Sequence, residues 1–277
     1  MCDTPVLDRV CRESYSDPRD VYAQLKRRGM TLMTLTDRDS IDGAEPLRCC
    51  ADFFLSEEVT CTMPSGTEIH LGVYNISERD HAEIARRRHD FLSLLVYLSE
   101  RRLFFTLNHV FSSLTGRRHS EDFHWFDSYI PAFETRNGQM LPFQNRKAEA
   151  LASQLSKIAV GGSDAHTIES AGTTYTEVPR ARNAGEFFAG LRAGHGVVRG
   201  DHGGYAKLTA DVLRITRQML CETPWTVLLA PLACLLPLAT LGHVANEMFF
   251  TSYWSARLAR AEESPRRLGQ LEAEPVP

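Results

Sequence analysis

The chain has no disulfide framework. Its 7 cysteines, Cys2, Cys11, Cys49, Cys50, Cys61, Cys221 and Cys234, are odd in number and show neither a CxxC pair nor regular spacing. A reducing compartment is the simpler expectation. There is no surplus of positive charge either: 31 Lys+Arg against 35 Asp+Glu leave a formal net charge of -4. No global basic field is available to recruit nucleic acid by counterion release, so double-stranded nucleic acid is not an expected partner and a phosphate-bearing ligand needs a local site. P-loop, strand-linked GxGxxG, HExxH and GxSxG motifs are missing, as is any repeat. That removes the usual support for nucleotide-dependent and serine-hydrolase chemistry and for a solenoid. The opening stretch MCDTPVLDRVCRESYSDPRD is charged and has no apolar h-region, which predicts no signal or transit peptide and a cytoplasmic location for the main domain.

What is present fits a globular protein. The 277 residues are 43% hydrophobic and 24% charged, enough for one large domain, or a domain plus an appendage. Composition changes near residue 205, dividing an α/β-looking part (1–204) from a helical tail (205–277) with an apolar run at 225–241. In the first part, MTLMTLT (30–36), EIHLGVYNI (68–76), LFFTLNHV (103–110) and KIAVGGSD (157–164) read as strands separated by helical patterns, which predicts a largely parallel sheet. Asp17 or Ser16 is placed to cap a helix starting near Pro18. Glu78 to Leu98 carries apolar positions at helical spacing, with Arg86, Arg87 and Arg88 as a solvated face.

Asp37, Arg38, His109 and Asp164 fall at or just after predicted strand ends, where ligand sites of parallel α/β folds gather. Asp37 and Asp39 in TDRDSIDG, Glu58 in SEEVT, His70 in EIHLG, His109 in TLNHV, and Asp164 with His166 in GGSDAH mix carboxylate and imidazole donors. That mixture suits Zn, Mn or Fe(II). Each histidine alone reads more readily as a hydrogen-bonded structural residue; together they point to metal.

As an ordered set, TDRDSIDG, SEEVT, EIHLGVY, LNHV and GGSDAH resemble the polymerase and histidinol phosphatase (PHP) superfamily. Its members carry a TDHDTIDG-like segment, a Glu after a strand, a His in an EIHLLGY-like strand, an NHP-like turn and a GSDAH motif in that order. FETRNG (133–138) looks like the family's E-x-x-N-G strand end, and the likeness spans about residues 15–200. The resemblance implies an α/β fold, a distorted (β/α)7 barrel, here without its first strand and followed by a hydrophobic helical appendage. It further implies divalent metals (Mn, Zn or Fe) and hydrolysis of a small phosphorylated substrate, a phosphomonoester or nucleotide phosphate, by metal-activated water. By position, Glu58 looks like the bridging carboxylate, His70 and His109 like ligands of one metal, Asp164 like a ligand of its neighbour, and His166 like a ligand of the third. Asp37 and Arg38 join Glu58 as catalytic candidates, and Arg38 and Arg117 are candidates to hold substrate phosphate.

Two departures qualify that expectation. No His precedes His70, so the family's opening His-x-His strand is not in the sequence, and Arg38 stands where TDHD has its histidine. The position resembling Glu58, His70 and His109 keeps three ligands, the His-x-His position keeps only Glu58 and Asp164, and the third keeps only His166. Fewer ions than the family's full set are therefore expected, and the rival reading is a degenerate binding or regulatory protein. Arg38 is either a surrogate cation pairing with Asp37, Asp39 or phosphate, or a drifted, solvent-facing residue. Loss of the first strand predicts an open sheet edge at residues 30–36 that a partner fills, unless the start is placed too far downstream.

The other histidines receive modest readings. His195 and His202 lie in a Gly-rich domain end, His119 and His124 on a surface loop or lid, and His81, His89 and His243 have no assigned role. The run WTVLLAPLACLLPLATL (225–241) is uncharged and at the lower limit of the ~17–25 residues of a membrane helix. Pro231 and Pro237 would kink it. Trp225, Phe249, Phe250, Tyr253 and Trp254 resemble aromatic belts, and arginines flank both ends. Membrane association and burial against the barrel or a dimer partner both stay open.

Overall fold

The computed structural model describes residues 14–222 and 224–263, with side chains undescribed at 224, 225, 227–229 and 261–263. Met1, Cys2, Cys11, Arg266, Arg267 and the Trp225 side chain thus lie outside the described set. Helix α1 (Pro18–Arg27) begins as its sequence predicts, with proline in the first turn and the Asp17 carboxylate accepting from Arg19 N at 2.8 Å.

The central sheet runs β1 (Ser56–Thr62), β2 (Glu68–Tyr74), β3 (Phe104–Leu107), β4 (Ala132–Asn137) and β5 (Ile158–Gly162), in that spatial order. It is mixed, not largely parallel: β1–β2 and β2–β3 pair antiparallel, β3–β4 and β4–β5 parallel. The reason is local. Between β1 and β2 the chain has only MPSGT, which turns through Gly66 at φ +82° and is closed by Met63 N donating to Thr67 O at 2.8 Å. A connection that short makes a hairpin and cannot make a crossover. Helices α4 (Ser120–Tyr129) and α5 (Pro142–Gln154) do supply crossovers, and there the pairs are parallel.

The expected strand at 30–36 is not a ladder. The segment makes one isolated parallel bridge, Met33 to Phe53, and a second just beyond it joins Arg38 to Glu58 on β1. Along 30–36 only Met33 is buried, so little packing regularises the segment. At the opposite edge, β6 (Thr174–Glu177) and β7 (Val197–Gly200) form a separate antiparallel pair around α6 (Ala184–Arg192). The Thr176 hydroxyl docks this pair on β5, accepting from Gly161 N at 2.8 Å and donating to Gly161 O at 3.0 Å.

The single helix expected from Glu78 to Leu98 is two, α2 (Glu78–Arg87) and α3 (Phe91–Glu100), because Asp90 caps a new start by accepting from Ser93 N. Buried Asp80 ties them together, taking part in a capping box with Ser77 and accepting from Tyr97 OH at 2.7 Å and Arg101 Nε at 2.9 Å. The arginine run is not uniformly solvated. Arg86 and Arg87 pair with Glu83, Arg87 lies 4.9 Å over the Tyr97 ring, and Arg88 reaches back to Asp39.

The main core joins β1, β2 and β3 to α2, α3, α4 and α5 through fully buried Val59, Leu71, Leu94, Leu98, Phe126, Ile130 and Phe133. Each such side chain is worth about 1.5–3 kcal/mol. A smaller cluster of Phe104, Ala132, Val160, Phe188 and Leu191 fills the other face. After β7 come α7 (Tyr205–Glu222), a 3-10 stretch (Pro224–Leu235) and α8 (Leu236–Glu263). Pro231 sits in the 3-10 stretch and Pro237 in the first turn of α8, where proline fits, so neither kinks a continuous helix. One face of α8 enters the main core through Trp254, whose ring centroid is 5.5 Å from that of Phe123. The other face leaves Leu238, Leu241 and Phe249 exposed. By length and composition alone, Ala230–Arg260 could cross a membrane.

Asp80 gives a stability prediction. Burial would raise its carboxyl, but Arg101, Ser77 and Tyr97 outweigh that and hold it well below the usual range. A depressed carboxyl stabilises the fold above the unfolded value near 3.8 and loses that contribution as pH falls further. Asp80→Ala is expected to cost about 2 kcal/mol at pH 7 and less at pH 2, measured by chemical denaturation at both; equal losses would refute the assignment.

Candidate metal centre

The strand register builds the site. Glu58 on β1 faces Gly72 on β2, and His70 faces Thr60. Positions two apart on one strand share a face, so Glu58 and His70 are diagonal neighbours on the same side of the pair. Beyond β3, Asn108 N donates to His70 O at 3.0 Å, and the chain turns at His109 with φ +30°. These constraints bring the ligand atoms of Glu58, His70 and His109 within 4.8 Å of one another. His70 Nδ1 lies 3.1 Å from His109 Nε2, and Glu58 Oε1 lies 3.5 Å and 3.3 Å from those two nitrogens.

Those spacings test the fit to a metal. Four ligands about 2.05 Å from a tetrahedral ion stand about 3.3 Å apart along each edge. The three observed edges match that spacing, and two imidazoles with one carboxylate are a common donor set for an open site that keeps a position for water. Both imidazoles are 4% exposed and the carboxylate 15%, so the atoms face a sheltered space.

Neighbouring groups fix the donors. Tyr74 OH lies 3.3 Å from Thr106 Oγ1, which donates to Asn108 Oδ1 at 2.8 Å, and Asn108 Nδ2 donates to Glu58 Oε1 at 2.9 Å. Gly72 keeps room for this chain, since a Cβ there would lie 2.4 Å from Tyr74 OH. His109 N donates to Glu134 Oε2 at 3.0 Å, and Asn137 Nδ2 donates at 3.0 Å to both Glu134 and Asp164. His109 Nδ1 is buried and has no hydrogen-bond partner among the described residues.

Charge and burial compete here. Burial would raise the Glu58 carboxyl, but the two imidazoles hold it well below its ordinary value. Burial would likewise lower His109, but Glu58, then Glu134 and Asp164, raise it. Glu134 is pushed up to about 7 by its burial and by Asp164, which outweigh His109 and the hydrogen bonds from Asn137 and His109 N. Three non-glycine residues around the centre hold left-handed backbone: Asp39 (φ +53°), His109 (φ +30°) and Asp164 (φ +46°). Such conformations cost free energy and persist where the surroundings over-determine them.

The other predicted site residues are distributed unevenly. Asp164 and His166 stand outside the three-donor group; His166 Nδ1 turns to Asp164 O at 3.0 Å and is 4.0 Å from its carboxylate. Asp37, Arg38 and Asp39 run beside Glu58, with Glu58 N donating to Asp37 O at 3.1 Å and Asp39 N donating to Glu58 O at 2.7 Å. Asp39 accepts from Thr60 N and pairs with Arg88, so this acidic residue is occupied structurally. Asp37 lies against Gly43, where a Cβ would meet its Oδ2 at 2.0 Å. Arg117 is exposed on the loop after His109, and it is Arg118 that turns inward, donating to Glu68 O at 2.8 Å. His202 pairs with Asn145 Nδ2 at 2.9 Å. Sequence reasoning gave no role to Asn108, Glu134, Asn137 or Lys207. The first three lie inside LNHV and FETRNG, motifs quoted for other reasons. Lys207 had no signal; its ammonium donates to Gly138 O at 2.6 Å beside the Asp164 loop.

Residues 142–195, from α5 through the GGSDAH loop to α6, match the family model described as PHP-associated. No curated protein matches the chain. Among solved structures it is similar to PsfC from Pseudomonas syringae, with a TM-score of 0.54 and 15% identity over 74% of this chain and 89% of that one. A lesion-specific endonuclease of Pyrococcus furiosus gives 0.49 and 14%, over 68% and 55%. A protein from Bifidobacterium adolescentis assigned as a metal-dependent phosphoesterase gives 0.45 and 12%, over 65% and 91%. The PsfC likeness bears on the fold: an α/β architecture with a central mixed sheet.

Metal uptake by this centre has a predicted pH dependence. Both imidazoles must be neutral to bind, and His109 is held above its ordinary value of 6.5. Zinc affinity measured by calorimetry is expected to rise from pH 5.5 through 8 and then level off. A pH-independent affinity would contradict the imidazole assignment.

Proposed function

We propose that this PHP-like chain is a metal-dependent phosphoesterase working with a reduced metal complement. The observation that carries the reading is the 3.1, 3.3 and 3.5 Å triangle of His70 Nδ1, His109 Nε2 and Glu58 Oε1. Glu58, His70 and His109 would hold one divalent ion, Mn, Zn or Fe. When bound, such an ion supplies a Lewis acid that polarises a phosphoryl oxygen and acidifies water. The chain's own residues do the rest. The imidazoles keep Glu58 ionised, and Asn108 aims it. Asp37 and Arg38, alongside Glu58, form the mouth, where Arg38 offers a permanent cation to a phosphate through two parallel hydrogen bonds. Arg117 reaches the substrate from the neighbouring loop, while Asp164 and His166 flank the centre. The substrate is a small phosphomonoester or nucleotide phosphate rather than duplex nucleic acid, consistent with the net charge of -4.

The same reading takes the sheet as a distorted (β/α)7 PHP-type barrel lacking its first strand and keeps the site-bearing part in a reducing compartment, where Cys49, Cys50, Cys61, Cys221 and Cys234 remain free thiols as they are in the structure. The exposed side of α8 is left for a lipid surface or a second copy of the chain.

A specific observation favours a second reading, a metal-binding protein without turnover. Only one three-donor group occurs among the described residues, whereas two-metal phosphoester hydrolysis uses a second ion about 3.5–4 Å away. Metal analysis combined with p-nitrophenyl phosphate turnover in Mn2+ separates the two. The phosphoesterase reading predicts about one ion per chain and a turnover that His70→Ala and His109→Ala each reduce at least about 100-fold. One ion with no turnover selects the binding protein, and no ion refutes both. Arg38→Ala is expected to raise KM for phosphate esters while leaving metal content unchanged.

A further inference from the structure

The C-terminal helices reach the two loops that follow the candidate ligands. From α8, Glu247 is 2% exposed and grips the loop behind His109. Its Oε1 accepts from Ser113 N at 3.0 Å and from Ser113 Oγ at 2.5 Å, and its Oε2 accepts from Gln144 Nε2 at 2.5 Å. Gln144 and Thr251 both donate to Phe111 O, at 2.9 Å and 3.0 Å. One residue nearer the centre, Ser112 N closes the His109 turn by donating to His109 O at 2.9 Å.

From α7, Asp211 is 4% exposed and does the same for the loop behind Asp164 and His166. It accepts from Thr167 Oγ1 at 3.0 Å, Ser170 Oγ at 2.6 Å and Gln139 Nε2 at 3.0 Å, with Arg214 balancing its charge. Each of these two loops starts from a non-glycine residue in left-handed backbone, His109 and Asp164. A buried carboxylate with two donors from one short loop and a third from a neighbouring element fixes that loop far more tightly than a surface contact does, because letting go would leave the charge buried and unsolvated.

We propose that Glu247 and Asp211 are positioning residues of the metal centre, so that the C-terminal helical pair aims the ligands rather than hanging from the domain as an appendage. Glu247 sets His109, and Asp211 sets Asp164 and His166. This rests on reading Glu58, His70 and His109 as a metal centre. Mutation of supporting groups behind metal ligands weakens affinity about 10–100-fold, and Glu247 acts one step further out, through the loop. The expected loss is therefore about 10-fold.

The test uses the full chain with Glu247→Ala, Ser113→Ala and Asp211→Ala. Ser113→Ala removes the hydroxyl that donates to Glu247 and accepts from Asn246 Nδ2 at 2.7 Å while leaving the sequence of α8 intact, so it stands in should Glu247→Ala fail to fold. Imidazole resonances of the metal-free protein are followed by NMR, zinc affinity by calorimetry, and the visible spectrum with Co2+ as a marker of ligand geometry. The expected pattern is crossed: Glu247→Ala and, more weakly, Ser113→Ala shift His109 and leave His166 in place, while Asp211→Ala does the reverse. Glu247→Ala also weakens zinc about 10-fold and alters the Co2+ spectrum. Wild-type resonances, zinc affinity and Co2+ spectrum in the loop variants, whatever their melting temperature, would overturn the proposal. A wild-type chain that takes up no zinc yet shows the crossed NMR shifts would sink the metal reading and leave the positioning role standing.

Discussion

The alignment of β1 against β2 is the constraint on which the site depends. With Glu58 opposite Gly72 and His70 opposite Thr60, one carboxylate and one imidazole project from the same face and meet across the diagonal. A one-residue slip would send both to opposite faces. The hairpin turn at 63–67 and the apolar stripe Val59, Cys61, Ile69, Leu71 and Val73 on the core side prevent that slip, because any other register would expose them. Hydrophobic burial therefore sets the geometry of a polar site that by itself could not pay the cost of assembling.

Much of this was legible in the sequence and some was not, for physical reasons. Helix α1 was readable because its start is written locally in Asp17 and Pro18. Three strands carried strong apolar runs and fell where the pattern put them, with ends within three residues. Strand direction was not legible, since alternating elements suggest parallel pairing, yet a five-residue turn forces a hairpin. The break between α2 and α3 was hidden because apolar spacing continues across Asp90, and only the cap reveals it. Glu58, His70 and His109 could be named as an ordered set, but their convergence is a property of tertiary register. Glu247 and Asp211 carried no signal at all: an acidic residue in an apolar helix looks the same whether it grips a loop or faces water.

The surroundings of the three-donor group divide into two kinds of carboxylate. Glu58 is held ionised by imidazoles, whereas Glu134 is pushed up to about 7 by burial and by Asp164, with Asn137 bridging them. Asp39, one residue past Arg38, is committed to Thr60 N and Arg88. Most acidic groups near the centre thus serve to hold backbone in place. The same holds at longer range for the C-terminal helices, whose buried acids reach loops more than 40 residues away in the chain. In this arrangement a small polar centre draws its rigidity from almost every element around it.

The most direct measurement is anomalous diffraction at the zinc absorption edge from crystals of the full chain equilibrated with Zn2+. The account predicts a single strong peak about 2.0–2.2 Å from Glu58 Oε1, His70 Nδ1 and His109 Nε2. A peak on other residues, or none with zinc in excess, would contradict it.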